Sequence, residues 1–199
     1  MQYLDIELEE GYRYEIENDE CPISPRDPAM GDQWCKLVTF HGRYDLSDKH
    51  NYVKDNYDSW DELQDAIKKF ERPLAILPVY LYEHGGIRIS TVPFRCEWDS
   101  GQIGFVYCKR DDVRKYGPRV KTTVNGKAEK KLEEHLRKEI DLYDLYISGQ
   151  TYMIKVFKED FDGEEELVEA IGGFLGGDFE NNGILDYLEP YKVKVKEEV

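Results

Sequence analysis

The residues best suited to chemistry lie near the middle of the chain. Cys96 offers a thiol nucleophile, and His84 and Asp99 offer groups that could accept its proton. Nucleophilic catalysis requires the nucleophile and its base to lie within hydrogen-bond reach, and closeness in sequence does not establish that geometry. We therefore favour a structural interpretation, in which Trp98 belongs to the core and residues 99–101 form a turn.

A second group could bind a divalent transition metal, because imidazole and carboxylate are suitable ligands. His41, Asp45 and His50 lie within ten residues of one another. A helix would bring His41 and Asp45 to one face, but Gly42 and the turn residues around it oppose a helix. We expect a polar loop with surface histidines and predict no metal site here.

The four cysteines, at positions 21, 35, 96 and 108, are predicted to be free thiols. None of them forms the close pairs that bracket zinc or a redox disulfide. Unpaired cysteine behaves as a small hydrophobic residue and is commonly buried. A disulfide or a reactive thiol is the alternative.

A glycine-rich segment, GGFLGG at residues 172–177, follows a predicted helix. A phosphate cradle instead has its glycines before a helix and usually a lysine nearby. Here the neighbours are Asp178 and Glu180, which would repel an anion. We expect a flexible turn that lets its two apolar residues pack. A cation held by Asp178, Glu180 and Asn182 lacks the ligand pattern of a calcium loop, so we predict no cofactor.

The elements that must position these residues begin with strands, which alternating apolar residues predict. Residues 3–17 read as a hairpin of two strands with its turn at Gly11. Residues 18–33 collect Asn, Asp, Pro and Gly and form a long loop, which is a frequent setting for function. Residues 34–40 form the next strand.

A capping-box pattern at residues 59–62 marks the start of a helix. Its apolar stripe includes Phe70, and Pro73 ends the helix. Residues 74–82 are too apolar for an exposed strand, and the proline at position 78 suggests a bulge or a sheet edge. After a turn at residues 84–86, the expected partners are a strand at 87–92 and a third strand of the same meander at 103–108.

The longest helix is predicted from Gly126, where apolar residues recur at steps of three and four as far as Ile147. Gly149 is placed to end this helix in the left-handed conformation. The remaining predicted elements are a strand at residues 152–157, a short helix at 164–171 and a closing strand at 191–195.

Size and composition indicate one globular unit, because 199 residues with 40% hydrophobic side chains can build a sizeable core. We predict a single α+β domain over residues 1–199, with an antiparallel sheet built from hairpins and one long and two or three short helices packed on it. The formal net charge of -15 argues against direct binding of nucleic acid or of an anionic membrane. The chain has neither an apolar run long enough for a membrane span nor a secretory signal, so we expect a cytoplasmic protein.

The charges are segregated along the chain. Residues 159–189 contain 11 acidic residues and no Lys or Arg, and residues 1–20 contain 8 acidic residues against a single arginine. A solvated surface that serves only solubility is one explanation. The other is an acidic, tyrosine-rich face that binds a partner, for instance by mimicking nucleic-acid phosphates in a basic groove. The residues assigned to that face are Glu164, Glu165, Glu166, Asp178 and Glu180.

Three segments resemble those of an uncharacterised protein family found in bacteriophages and mobile elements. They are TFHGRYDLSDKH at residues 39–50, LPVYLYEH at residues 77–84 and WDSGQIGFVY at residues 98–107. The resemblance spans most of the chain. Because that family has no established activity, the resemblance implies context only: small phage accessory proteins often bind and disable a host defence or regulatory factor. No catalytic residue can be transferred.

Two hypotheses of different classes follow. In the first, the chain is a phage-type accessory protein, more a binding protein than an enzyme, that binds and inhibits a host protein through its acidic, tyrosine-rich face. A nuclease-based defence component in the host cytosol is the example we name. In the second, the chain is a small enzyme or nucleotide-binding protein, and its pocket comprises His84, Cys96, Trp98, Asp99 and Gln102.

Overall fold

The computed structural model describes Leu4 and residues 6–30, 33–119 and 126–193, except the side chains of residues 126 and 127. The chain divides into two compact units, whereas the sequence favoured one globular domain. Unit 1 comprises Met1–Ile23 and Gly149–Val199, and unit 2 comprises Ser24–Ser148. Helices and antiparallel sheets occur together, so the predicted α+β class is confirmed.

The elements are numbered in chain order. The strands are β1 (Tyr12–Asn18), β2 (Lys36–Thr39), β3 (Ala75–Glu83), β4 (Ile87–Ser90), β5 (Ser100–Cys108), β6 (Thr151–Glu159) and β7 (Glu165–Leu175). The helices are α1 (Trp60–Glu71), α2 (Arg110–Lys115), α3 (Gly126–Ile147) and α4 (Ile184–Leu188). None of the described helices combines the length and the apolar composition that a membrane span requires.

Unit 2 is built on a four-stranded antiparallel sheet in the order β2-β5-β3-β4. The hairpin of β3 and β4 forms as predicted, with Gly85 at a φ of 70° in its turn. The expected meander was wrong, because β5 pairs with β2 and with the other side of β3 instead of following β4. Six consecutive residues of β5 are buried, and a strand this apolar is most stable in the middle of the sheet.

Pro78 lies in a part of β3 where a residue without a backbone N–H is tolerated. The register of β3 against β5 shifts between Val79 and Tyr80, directly after Pro78. The pairing with β4 begins only at Tyr80. Pro78 therefore lies next to a bulge, in a part of β3 that β4 does not cover, as a residue without a backbone N–H requires.

Helix α1 starts and ends where the sequence predicted. The Ser59 hydroxyl accepts a hydrogen bond from the backbone N–H of Glu62 at 3.1 Å, and the Glu62 carboxylate accepts one from the N–H of Asp58 at 2.7 Å. Arg72 ends the helix at a φ of 49°, because a residue before proline is disfavoured in the helical conformation. Phe70 does not belong to the buried stripe, since 69% of its surface is exposed.

The sheet of unit 2 is covered by a helix on each face. Leu63 and Ile67 of α1 pack with Val38 and Phe105 in one core cluster. The other cluster contains the alternate strand residues, such as Val106, and the buried side of α3. Successive strand residues point to opposite faces, so α1 and α3 cover opposite faces of the sheet. Gly149 follows α3 at a φ of 74°, as predicted.

Unit 1 is built on a three-stranded antiparallel sheet in the order β1-β6-β7. The predicted N-terminal hairpin was wrong, because β1 pairs with β6 and Leu8 forms an isolated bridge with Lys192. Ile154 and Val156 of β6 are fully buried beneath α4, so pairing with β6 gives β1 a larger core than a local hairpin would. Residues 3 and 5 of that hairpin, and residues 194 and 195 of the predicted closing strand, lie outside the described residues.

The short helix predicted at residues 164–171 was wrong, since these residues begin β7. A local acidic start resembles a helix N-terminus, but pairing with β6 decides the conformation. The first glycines of the glycine-rich segment belong to a bulge of β7 and not to a turn. A Cβ on Gly172 would lie 2.2 Å from Oδ2 of Asp19, and this same oxygen accepts a hydrogen bond from the N–H of Gly173 at 3.0 Å.

Candidate functional site

Charge is divided unequally between the two units. The 42 acidic and 27 basic residues divide into 21 acidic and 6 basic in unit 1, and 21 of each sign in unit 2. Unit 1 therefore carries the whole formal net charge of -15. Both acidic terminal segments belong to unit 1 because β1 pairs with β6. Unit 1 is the part of the chain that would attract cations or a basic partner.

Strand β7 is the most exposed element of unit 1. It lies at one edge of the sheet, and its first nine residues are all exposed. Leu167, Val168 and Ile171 leave 50%, 47% and 40% of their surfaces in solvent. Most proteins protect a strand edge or keep it polar, because its unpaired backbone groups can pair with another chain. Contiguous exposed apolar side chains are a feature of interaction sites, and β7 is therefore the candidate in unit 1.

The turn before β7 presents a further apolar side chain. Phe161 is fully exposed. The turn that carries it is held by Asp160, whose Oδ1 accepts hydrogen bonds from the N–H groups of Asp162 at 2.8 Å and Glu164 at 3.0 Å. An aromatic side chain has few rotatable bonds, so it loses little entropy on binding, and aromatic rings are typical anchors at protein interfaces.

The five glutamates and aspartates assigned to the binding face are all exposed, but they form two groups. Glu164, Glu165 and Glu166 lie at the start of β7, and Asp178 and Glu180 follow its other end. A strand rises about 3.3 Å per residue, so β7 itself is roughly 30 Å long. One group lies at the start of this strand, and the other follows its end.

Some of these acids are already paired within unit 1. A guanidinium N–H of Arg13 donates to Oε2 of Glu165 at 2.5 Å, and the guanidinium also stacks 4.1 Å from the ring centroid of Phe157. The hydrogen bond from Arg13 lowers the pKa of Glu165 below its usual value. In contrast, Glu164 and Glu166 form no ion pair with any described residue. Their carboxylates are the ones available to a partner.

Three residues of the alternative pocket lie close together, but their arrangement does not suit nucleophilic catalysis. Oδ2 of Asp99 lies 3.4 Å from Sγ of Cys96 and 3.4 Å from Nδ1 of His84. The carboxylate thus stands between the thiol and the imidazole, whereas an activated cysteine needs a cationic or imidazole neighbour. The His84 side chain is 73% exposed, so the cluster is solvated.

The other two residues of that predicted pocket do not complete it. Trp98 is 97% exposed, so its expected place in the core was wrong. It lies on the surface connection that leads from β4 to β5, where the expected turn at residues 99–101 is replaced by the start of β5. The Gln102 side chain donates to the carbonyl of Gly104 at 3.2 Å, within its own strand.

The described residues contain no group of three or more His, Cys, Asp or Glu side chains that could hold a metal ion. His41 stacks on Tyr44, with ring centroids 5.1 Å apart. Nδ1 of His50 accepts a hydrogen bond from the N–H of Tyr52 at 3.1 Å, so this nitrogen is not free to bind a metal. All four cysteines are free.

Comparisons with protein-family models, with curated proteins and with solved structures found no match for this chain. The resemblance to a phage family therefore stays a prediction. The sequence analysis missed Phe161 and the apolar residues of β7, because it assigned that segment to a helix. Residues 165–171 read EELVEAI and do not alternate strictly, so the β-branched Val168 and Ile171 are the only local signal that could have indicated a strand.

Proposed function

We propose that this chain is a binding protein without catalytic activity that captures an extended, basic segment of a host protein along the edge of β7. The observation that carries this proposal is an open strand edge with apolar side chains in the unit that bears the whole net charge of -15. In the phage context implied by the resemblance, the partner is a protein of the host cytosol. A nuclease-based defence component is one example of such a partner.

Strand addition explains why β7 leaves apolar residues in water. A partner strand would form main-chain hydrogen bonds with the open edge and would cover alternate side chains of β7. Leu167 and Ile171 supply apolar contacts along the strand, and Phe161 supplies an anchor at its start. Tyrosines elsewhere are not needed for this mode of binding.

Charge selects the partner. The free carboxylates of Glu164 and Glu166 would repel the same edge of a second copy, so self-pairing through β7 is disfavoured. A segment with Lys or Arg between apolar residues would match both the exposed apolar side chains of β7 and the carboxylates of Glu164 and Glu166. Complementary charge also speeds association, and this effect weakens as salt rises.

We favour strand addition over nucleic-acid mimicry. A mimic needs a continuous series of carboxylates that can occupy the positions of phosphates. Here the two acidic groups lie at opposite ends of β7, and residues 170–177 between them carry no charge. We also favour binding over catalysis, because the imidazole of His84 contacts Asp99 and not the thiol of Cys96.

The test is a titration of the isotopically labelled chain with a synthetic peptide of alternating Lys and Val residues. A peptide of equal length with Glu in place of Lys is the charge control. We expect the basic peptide to perturb the NMR signals of β7 and of residues 160–164 and to slow amide exchange along β7. Glu164→Lys combined with Glu166→Lys should weaken binding at least tenfold without changing the melting temperature.

The matched control reverses two exposed acids of unit 2, Asp45→Lys combined with Glu97→Lys, and so makes the same change in net charge. This variant should bind as the native chain does. Equal weakening by both variants, or perturbation mapped away from β7, would show that the attraction is general and would defeat the proposal. Capture from host lysate by the native chain but not by the Glu164→Lys, Glu166→Lys variant then identifies the partner.

A further inference from the structure

Unit 2 contains a cleft that the proposed function does not use. It has a volume of about 400 Å³. It is surrounded by the C-terminal end of α1, the start of β2, the end of β5 and residues 49–57. Small-molecule sites have volumes of roughly 300–1,000 Å³. Its lining combines lysines with aromatic rings, namely Lys36, Lys49, Lys109, Tyr52, Tyr57 and Phe70.

The lysines give this cleft an unbalanced positive charge. The ammonium of Lys109 is paired with Glu71 at 3.2 Å. Lys36 and Lys49 have no carboxylate of any described residue within ion-pair distance. Unit 2 has no formal net charge, with 21 acidic and 21 basic residues, so two unpaired ammonium groups make the cleft locally positive and favour an anion.

The aromatic residues give the same cleft flat apolar surfaces. Phe70 stands in the last turn of α1 with 69% of its surface exposed, so its ring lies in water at the rim of the cleft. The rings of Tyr52 and Tyr57 lie further along the lining, with centroids 6.4 Å apart. The hydroxyl of Tyr52 donates to Oε1 of Glu71 at 3.5 Å, and burial raises the pKa of Tyr52 to about 12.

We propose that this cleft binds a mononucleotide, with the phosphate at Lys36 and Lys49 and the base against Phe70 and the tyrosines. A free phosphate would leave the rings unused, and a purely apolar ligand would leave the lysines unpaired. Stacking of a base on an aromatic ring tolerates every base, because each base has a flat π face. The amide of Asn51, also in the lining, can hydrogen-bond to base edges.

A single nucleotide fits the electrostatics better than a nucleic-acid strand does. A strand adds one negative charge per nucleotide, whereas the cleft offers only two unpaired lysines, Lys36 and Lys49. A mononucleotide places its charge only where the two lysines are. This site is independent of β7, so the two proposals can fail separately.

The experiment is calorimetric titration of the whole chain with AMP, GMP, CMP and UMP, with inorganic phosphate and adenosine as partial ligands. At least one nucleotide should bind with a stoichiometry of one and raise the melting temperature. Phosphate or adenosine alone should bind at least tenfold more weakly than AMP. Absence of binding by all four nucleotides would overturn the proposal, as would phosphate binding as tightly as any nucleotide.

Two exposed residues allow variants that should fold normally. Lys49→Glu should weaken nucleotide binding at least tenfold, and Phe70→Ala should weaken it at least about fivefold. The matched controls are Lys131→Glu on the exposed side of α3 and Trp98→Ala, and both should bind as the native chain does. Native affinity in both cleft variants would overturn the assignment. So would a single-stranded oligonucleotide that displaces the nucleotide and binds more tightly than it.

Discussion

Arg88 of β4 and Asp144 of α3 form an ion pair in which two guanidinium nitrogens share one carboxylate oxygen. Nε and Nη2 of Arg88 lie 2.8 Å and 2.6 Å from Oδ2 of Asp144. Oδ1 accepts a hydrogen bond from the backbone N–H of Ile89 at 2.7 Å. The Asp144 side chain is buried, so this group fastens α3 to the edge strand of the unit 2 sheet.

We expect Arg88→Ala to lower the free energy of unfolding by about 2–4 kcal/mol, because it leaves the buried Asp144 carboxylate with only one partner. Asp144→Asn should cost less, since its amide oxygen can still accept from Ile89. Urea denaturation followed by circular dichroism measures both. Lys68→Ala, which removes an exposed pair with Asp65, should change stability by less than about 0.5 kcal/mol. If Arg88→Ala and Lys68→Ala lowered the free energy of unfolding by similar amounts, Arg88 would not be needed to compensate the buried carboxylate of Asp144.

Gly104 is required by the close approach of β5 to β2. A Cβ at this position would lie 1.9 Å from the carbonyl oxygen of Val38. We therefore expect Gly104→Ala to destabilise the fold by about 2–4 kcal/mol, because backbone atoms of β2 must move. Gly101 belongs to the same strand, and a Cβ there would meet nothing within 4 Å. Thermal unfolding should show Gly101→Ala near the native melting temperature; equal shifts in the two variants would refute the explanation.

Arg26 anchors the described loop residues 24–30 to Cys35 and Asp48. Its guanidinium reaches both carboxylate oxygens of Asp48 at 3.0 Å and 2.5 Å, and also the carbonyl of Cys35 at 3.2 Å. The Arg26 and Asp48 side chains are only 6% and 10% exposed. Arg26→Ala should cost about 3–5 kcal/mol, and Arg26→Lys should restore little, because an ammonium cannot form the two-pronged contact.

Limited proteolysis distinguishes this anchoring role from a general loss of stability. Below its melting temperature, the Arg26→Ala chain should be cut within this loop sooner than elsewhere. Arg43→Ala, which removes an exposed pair with Glu83, is the control and should be cut like the native chain. Uniform cleavage along the Arg26→Ala chain would argue against an anchor.

Glu169 should make unit 1 sensitive to acid. The Tyr191 hydroxyl donates to Oε2 of Glu169 at 2.7 Å, and this hydrogen bond lowers the pKa of Glu169 below its usual value. A depressed pKa in the folded state means that the stabilisation is complete above the unfolded pKa, about 4.3, and is lost as pH falls through the folded pKa. In Tyr191→Phe the pKa of Glu169 should rise, as measured by carbon NMR titration. An unchanged pKa in that variant, or a rise of equal size in Tyr116→Phe, would contradict this cause.

The exposed Trp98 provides a simple check on the surface. Because 97% of Trp98 is exposed, Trp98→Ala should change the free energy of unfolding by less than about 0.5 kcal/mol. Trp34 is buried, and its indole N–H donates to Glu139 at 2.8 Å; Trp34→Ala should therefore cost about 3 kcal/mol or more. Iodide quenching should be much weaker in the Trp98→Ala chain. Quenching that survives this substitution would show that another tryptophan is the exposed one.

The features that sequence alone predicted are those set by a few neighbouring residues. Ser59 and Glu62 cap α1 because the cap forms within one helical turn, and Gly149 ends α3 because only its own backbone conformation matters. The turn at Gly85 was predictable for the same reason, because it depends on the backbone conformation of that glycine. His84, Cys96 and Asp99 meet around one end of the β3–β4 hairpin, a geometry that their closeness in sequence did not establish.

Tertiary structure alone decided the strand partners, and with them the candidate sites. A strand's partner depends on which pairing buries the most apolar surface over the whole unit, and that quantity cannot be computed from a short window of sequence. Thus β1 pairs with β6 across most of the chain, β7 becomes an exposed edge instead of a helix, and both acidic termini join unit 1. Lys36 and Phe70 likewise share a cleft only because α1 packs on the unit 2 sheet, in which β2 is an edge strand.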